Sequence, residues 1–152
     1  MDYENKTVKV PILNSDFHVV VCWGDNLHVD RVLKREGMQD VNVVESLMGN
    51  SGVTFMSPRL RPVIAIPRYP ETAREVGTLA HEACHAVEHI FNQIGQKLGD
   101  ELLAHSVGAV VRITLESKKD VQQISDKSPG KGKRQSAKAA QKKGSANKRA
   151  PR

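Results

Sequence analysis

Apolar and polar positions alternate along two early stretches, Thr7 to Leu13 (TVKVPIL) and Asp16 to Trp23 (DFHVVVCW). A period of two buries one face of each and predicts two strands. Asn14 and Ser15 between them allow a hairpin or two neighbouring strands, and Pro11 favours an edge for the first. Gly24 and Asp25 then turn the chain into a helix. From Asp25 to Glu36, Leu27, Val29, Val32 and Leu33 recur at helical spacing until Gly37 stops them. His28 on that stretch, beside Asp30 and Arg31, is expected at the surface. A short helical turn follows through Val44 to Met48, closed by Gly49 and Asn50. The strand signal returns in Gly52 to Met56 (GVTFM) and, after a turn at Ser57 to Arg59, in Pro62 to Ile66 (PVIAI).

Pro67 ends that strand, and Pro70 with Glu71 suits the opening of a helix, where a missing N–H costs nothing and a negative charge meets the dipole. The helical pattern runs to about Ile94. Gly95 and Gly99 interrupt it, and Asp100 can cap a last helix through about Ser117. Strands first and long helices last predict an α+β domain over residues 1–117, with a short, mostly antiparallel sheet packed on two or three helices lying on one face. Pro62 to Ile66 is the candidate free edge, open to an extended peptide, the alternative being a central and fully paired strand.

Charge divides the chain at Lys118. Residues 118–152 carry 12 Lys and Arg against 2 Asp, a net of +10, and leave residues 1–117 at −4. That tail has no aromatic and almost no large aliphatic residue, so it is expected to be disordered. A flexible polycation gains affinity for nucleic acid through counterion release, without base specificity. Lys131, Lys133, Arg134, Lys142, Lys143, Lys148 and Arg149 are its candidate contacts; a solubilising tail is the plainer reading. The first residues show no basic segment leading into an apolar run, and no apolar string approaches the ~20 residues that cross a bilayer. A soluble, cytoplasmic protein without a membrane partner is expected, with Cys22 and Cys84 as buried reduced thiols.

Residues 81–85 read HEACH, inside the segment Thr78 to Val87 (TLAHEACHAV), whose one charged residue is Glu82. Four residues apart on a helix, His81 and His85 can offer two imidazoles to one zinc ion. Glu82 is one step round the helix, where a base taking a proton from metal-activated water would stand. A catalytic zinc needs a third protein ligand. No Gly-His pair follows at the spacing HExxHxxGxxH, since Glu88 stands where the glycine would be. His89 is one turn too far for unstrained binding and is expected as a surface or supporting group. Glu101 and His105 share a face at the start of the last helix. Glu101 is the preferred third ligand, with His105 as hydrogen-bond donor to a developing oxyanion. The alternative makes His105 the ligand and Glu101 its orienting partner.

TLAHEACHAV resembles the extended signature of the zincin metallopeptidases, and a Glu on the following helix is similar to the gluzincin arrangement. More narrowly, RPVIAIPRYP through LAHEACHAVEHI to DELLAHSVGAVV, Arg61 to Arg112, resembles small predicted metallopeptidases of tailed bacteriophages. In those proteins Tyr often stands at the place of His105. The resemblance implies a zincin-like fold with the HEACH helix central, Zn2+ as cofactor, and hydrolysis of a peptide or protein substrate in a phage-encoded enzyme acting in host cytoplasm or virion. Two other readings stand beside it: a non-catalytic interaction protein keeping the zincin scaffold, and a nucleic-acid-associated protein acting through its tail.

Overall fold

The structure, a computed structural model, describes residues 4–13 and 16–125. Its elements run β1 (Lys6–Ile12), β2 (Phe17–Trp23), α1 (Asn26–Arg35), α2 (Val43–Leu47), β3 (Val53–Phe55), β4 (Val63–Ile66), α3 (Ala73–Gln93) and α4 (Asp100–Ser125). The strands form one mixed sheet in the order β1-β2-β4-β3. β1 and β2 are antiparallel, from Lys6 opposite Trp23 to Ile12 opposite Phe17. β2 and β4 are parallel, and β3 runs antiparallel to β4. The α+β class and the largely antiparallel pairing agree with the sequence pattern.

Helices cover both faces of this sheet, not one. Val10, Ile12, Val19, Val21, Trp23, Ile64 and Ile66 pack against α3 and α4. On the opposite face Val20, Cys22, Val63, Ala65 and Phe55 meet α1 and α2 through Val29, Val32, Leu33 and Val43. Strands buried on both sides lose strict alternation, which is why β2 reads VVVCW and β4 reads VIAI. The same burial overturns the expectation that Pro62 to Ile66 is a free edge. β4 is internal, between β2 and β3, and the open edge beside α3 belongs to β3. β1 holds the other edge, as Pro11 implied.

α3 begins with a capping box. Thr72 takes the N–H of Glu75, and the Glu75 carboxylate reaches back to the N–H of Thr72. Pro70 therefore precedes the helix rather than opening it. Gly95, at φ +67, ends it. Gln96 N bonds Phe91 O at 3.1 Å and Gly95 N bonds Asn92 O at 3.3 Å, a left-handed closure that glycine adopts without strain.

α4 starts as expected but runs past Ser117 to Ser125. Lys118, Lys119, Gln122 and Gln123 are good helix formers, so nothing stops the helix at Ser117. Lys118 pairs with Glu71, Tyr69 Oη donates to Leu115 O at 2.8 Å, and Lys6 Nζ reaches Ser117 O, all tying this end of α4 to the domain. His28 is part-buried, not at the surface. Its Nε2 stands 3.1 Å from both Thr7 Oγ1 and Lys6 O, because β1 passes beside the first turn of α1. Cys22 is buried and Cys84 half-buried, both unpaired, and burial pushes the Cys22 thiol up to about 12. The tail from residue 126, with all seven of its candidate contacts, lies outside the described residues.

Candidate metal and hydrolytic site

One flank of α3 supplies the core, through Leu79, Ala83, Ala86, Val87, Ile90 and Phe91, all fully buried. The residues between them face outward by helical geometry. His81 and His85 come together on that outer flank, with Nε2 atoms 3.2 Å apart and ring planes at 86°. Two nitrogens on a tetrahedral zinc, with bonds of about 2.0–2.1 Å, stand about 3.3–3.4 Å apart. The pair thus has the bite of a zinc site. Without a metal the same distance suits one ring N–H donating to the other ring's lone pair, so the ion would take the place of a proton.

Glu82 lies beside them, half-buried, and is fixed from across the sheet edge. Thr54 Oγ1 in β3 stands 2.7 Å from Glu82 Oε2 and 2.9 Å from the Glu82 carbonyl. β3 can approach this closely because position 52 is glycine. A methyl group there would stand 2.9 Å from Thr78 Cγ2, 3.2 Å from Ile66 Cγ2 and 3.3 Å from Glu82 Cγ. Between β3 and α3 opens a shallow cleft of about 390 Å³, lined by Asn50, Gly52, Thr54, Met56, Glu82 and His85. His81, Glu82 and His85 are therefore assembled at one place, next to the free strand edge.

Glu101 and His105 form a second, separate pair. They face each other across one turn of α4, His105 Nε2 to Glu101 Oε1 3.8 Å, and both are open to solvent, at 78% and 92% side-chain exposure for His105 and Glu101. Among the described residues, no group of three His, Cys, Asp or Glu side chains could hold a metal ion. The direction of the α3 faces explains the separation. Ala80 turns toward α4, where it lines a groove with Ala104, Val107, Gly108 and Val111. His81 and His85 lie about 100° and 140° further round the helix, on the β3 side. His89 is part-buried: its Nε2 is covered and has no hydrogen-bond partner among the described residues.

Sequence reasoning passed over Thr54 and Gly52. Their signal was present but non-local, because Thr54 lies opposite Ile64 and so shares a sheet face with α3 only once that register is known. Among the described residues no helix is long and apolar enough to cross a membrane. In comparisons with protein-family models, curated proteins and solved structures, the chain matches none.

Proposed function

We propose that the chain is a zinc-dependent hydrolase of peptide bonds, with His81 and His85 as metal ligands and Glu82 as general base. One observation carries this reading: two imidazole nitrogens 3.2 Å apart beside a carboxylate that a neighbouring strand holds in the same cleft. When bound, zinc supplies Lewis acidity and lowers the pKa of a coordinated water towards ~7. Glu82 takes the proton from the attacking water and returns it to the leaving amine. Thr54 keeps the Glu82 carboxylate turned to the cleft. The open edge of β3 offers backbone N–H and C=O groups to an extended substrate. Glu101 is the proposed third ligand and His105 the proposed oxyanion donor, the reverse assignment being the alternative; both side chains are exposed on α4.

A non-catalytic zincin-like interaction protein is the second reading. It is favoured by the place of Glu101 and His105, which pair with each other on α4, exposed to solvent. Metal content and peptide turnover, measured on the same preparations, separate the two. Glu82→Gln is expected to keep zinc while turnover falls by on the order of 10²–10⁴-fold. His81→Ala is expected to lose the metal, and whichever of Glu101→Ala and His105→Ala lowers metal content identifies the third ligand. Undiminished turnover in the Glu82→Gln protein would end the hydrolase reading.

A further inference from the structure

A second cavity, of about 500 Å³, lies at the opening turns of α3. Its size falls within the roughly 300–1,000 Å³ of small-ligand sites. Ile66, Pro67 and Pro70 give it apolar walls, while Arg68, Arg74 and Thr78 bring polar groups to it. It adjoins the hydrolytic cleft. Asn50 lines both cavities, and Gly52, on the cleft wall, is packed against Thr78 and Ile66 of this second cavity and against Glu82 of the first.

The charges here are not balanced. Glu75 also lines the cavity, but its carboxylate is fully engaged: the N–H groups of Thr72 and Glu71 hold it, and Arg68 Nε reaches it at 2.5 Å. Those backbone bonds first, and Arg68 next, hold its pKa down to about 2. Arg68 and Glu75 therefore cancel. Arg74 also lines the cavity and makes no ion pair with any described residue, so its charge is the one left uncompensated there. The capping box also decides what kind of anion fits. With the N–H of Glu75 bonded to Thr72 and the Glu75 carboxylate lying over the helix start, the α3 terminus does not present the open set of donors that a phosphate uses. A single carboxylate on an apolar stem suits what remains.

We propose that this cavity is the specificity pocket of the hydrolytic cleft and accepts an acidic side chain, glutamate or aspartate, of a bound peptide, with Arg74 as the residue that selects it. The proposal deepens the peptide-hydrolase reading and rests on it for the peptide. The methylenes of the acidic residue lie along Ile66, Pro67 and Pro70, and the carboxylate meets the Arg74 guanidinium. Arg74 thus determines specificity and takes no part in the chemical step.

Binding, not turnover, tests it. Fluorescein-labelled alanine-based peptides, with one glutamate, one glutamine or one lysine moved along the chain, are titrated against the full-length Glu82→Gln protein with and without added zinc. Glutamate is expected to bind about 10–100-fold tighter than glutamine at one position and not at others, the effect of one charge-assisted hydrogen bond. In the Arg74→Gln, Glu82→Gln double variant that step is expected to vanish, and with Arg74→Glu the favoured residue at that position becomes lysine. The basic tail is the same in every protein, so an attraction due to the tail appears at all positions and survives at Arg74→Gln. A position-independent preference, or a step that Arg74→Gln leaves intact, overturns the pocket. Thermal melting of each variant confirms the fold, since Arg74 is exposed on the helix surface. A step that depends on Arg74 in a protein whose parent cleaves no peptide would keep the pocket and end the hydrolase reading, so the two ideas fail separately.

Discussion

A hydroxyl carries one hydrogen, yet Thr54 Oγ1 stands within hydrogen-bond reach of two acceptors, both on Glu82. The bond to an ionised carboxylate is the stronger of the two, so it fixes the side chain and leaves the carbonyl to its helical partner. In the proposed hydrolysis Thr54 acts through Glu82, as a positioning residue. Thr54→Val keeps the shape and removes the hydrogen. The expected result is a kcat about 10–100-fold lower with unchanged zinc content, since a hydrogen bond to a charged group is worth about 1.5–3 kcal/mol. Thr54→Ser is expected to restore most of it. Equal kcat in wild type and Thr54→Val would remove the positioning role. This residue also marks how far sequence reading reaches. His81, Glu82 and His85 were legible because their geometry is set within two turns of one helix, whereas the partner of Glu82 comes from a strand 28 residues away along the chain. Glu101 and His105 were legible as a pair for the same local reason. Their relation to the histidines depends on which flank of α3 turns to α4, and no local spacing encodes that.

At the scale of elements, the opening of α3 sets the position of the whole site. Its capping box joins Thr72, Glu75 and Arg68, and Glu75 has its pKa lowered to about 2 from the ordinary 4.5. A depressed carboxylate stabilises the fold above its unfolded value and loses that contribution as pH falls through the folded one. Wild type is therefore expected to melt a few degrees above Glu75→Gln at neutral pH. The gap should close between about pH 4.5 and pH 2. A gap that stays constant across that range would show that the carboxylate's charge is not what matters. The strands were legible as strands because apolar runs bounded by Gly and Pro leave few alternatives. Which of them is an edge was not. Four apolar residues in a row fit a strand covered on both sides, and that observation on β4 already favoured an internal place. The helix start was misplaced at Pro70 because the Thr72 and Glu75 spacing, a stronger signal, was overlooked.

For the whole molecule, the two-faced sheet makes a three-layer body in which α4 closes the outer layer and anchors through Leu115, Ser117 and Lys118. A boundary at Ser117 cuts into this anchorage. A chain ending at Ser117 is expected to melt several degrees lower than one ending at Ser125, which should match the full chain. Residues 126–152 hold 10 Lys and Arg. Their removal is expected to abolish salt-dependent binding to random duplex DNA, with each lost phosphate contact flattening the logarithmic salt slope by about 0.9. DNA binding unchanged in the chain ending at Ser125 would place the nucleic-acid contact elsewhere. One buried residue makes such comparisons simple. Trp23 is the single tryptophan of the chain; it is 2% exposed and has the Tyr69 ring edge-on at 5.4 Å. It sits in the core that β2 shares with α3 and α4, so its fluorescence is an intrinsic optical gauge of the layer that carries HEACH. Emission that moves to the red as denaturant rises reports the unfolding of the core around β2, with no label and no contribution from the tail.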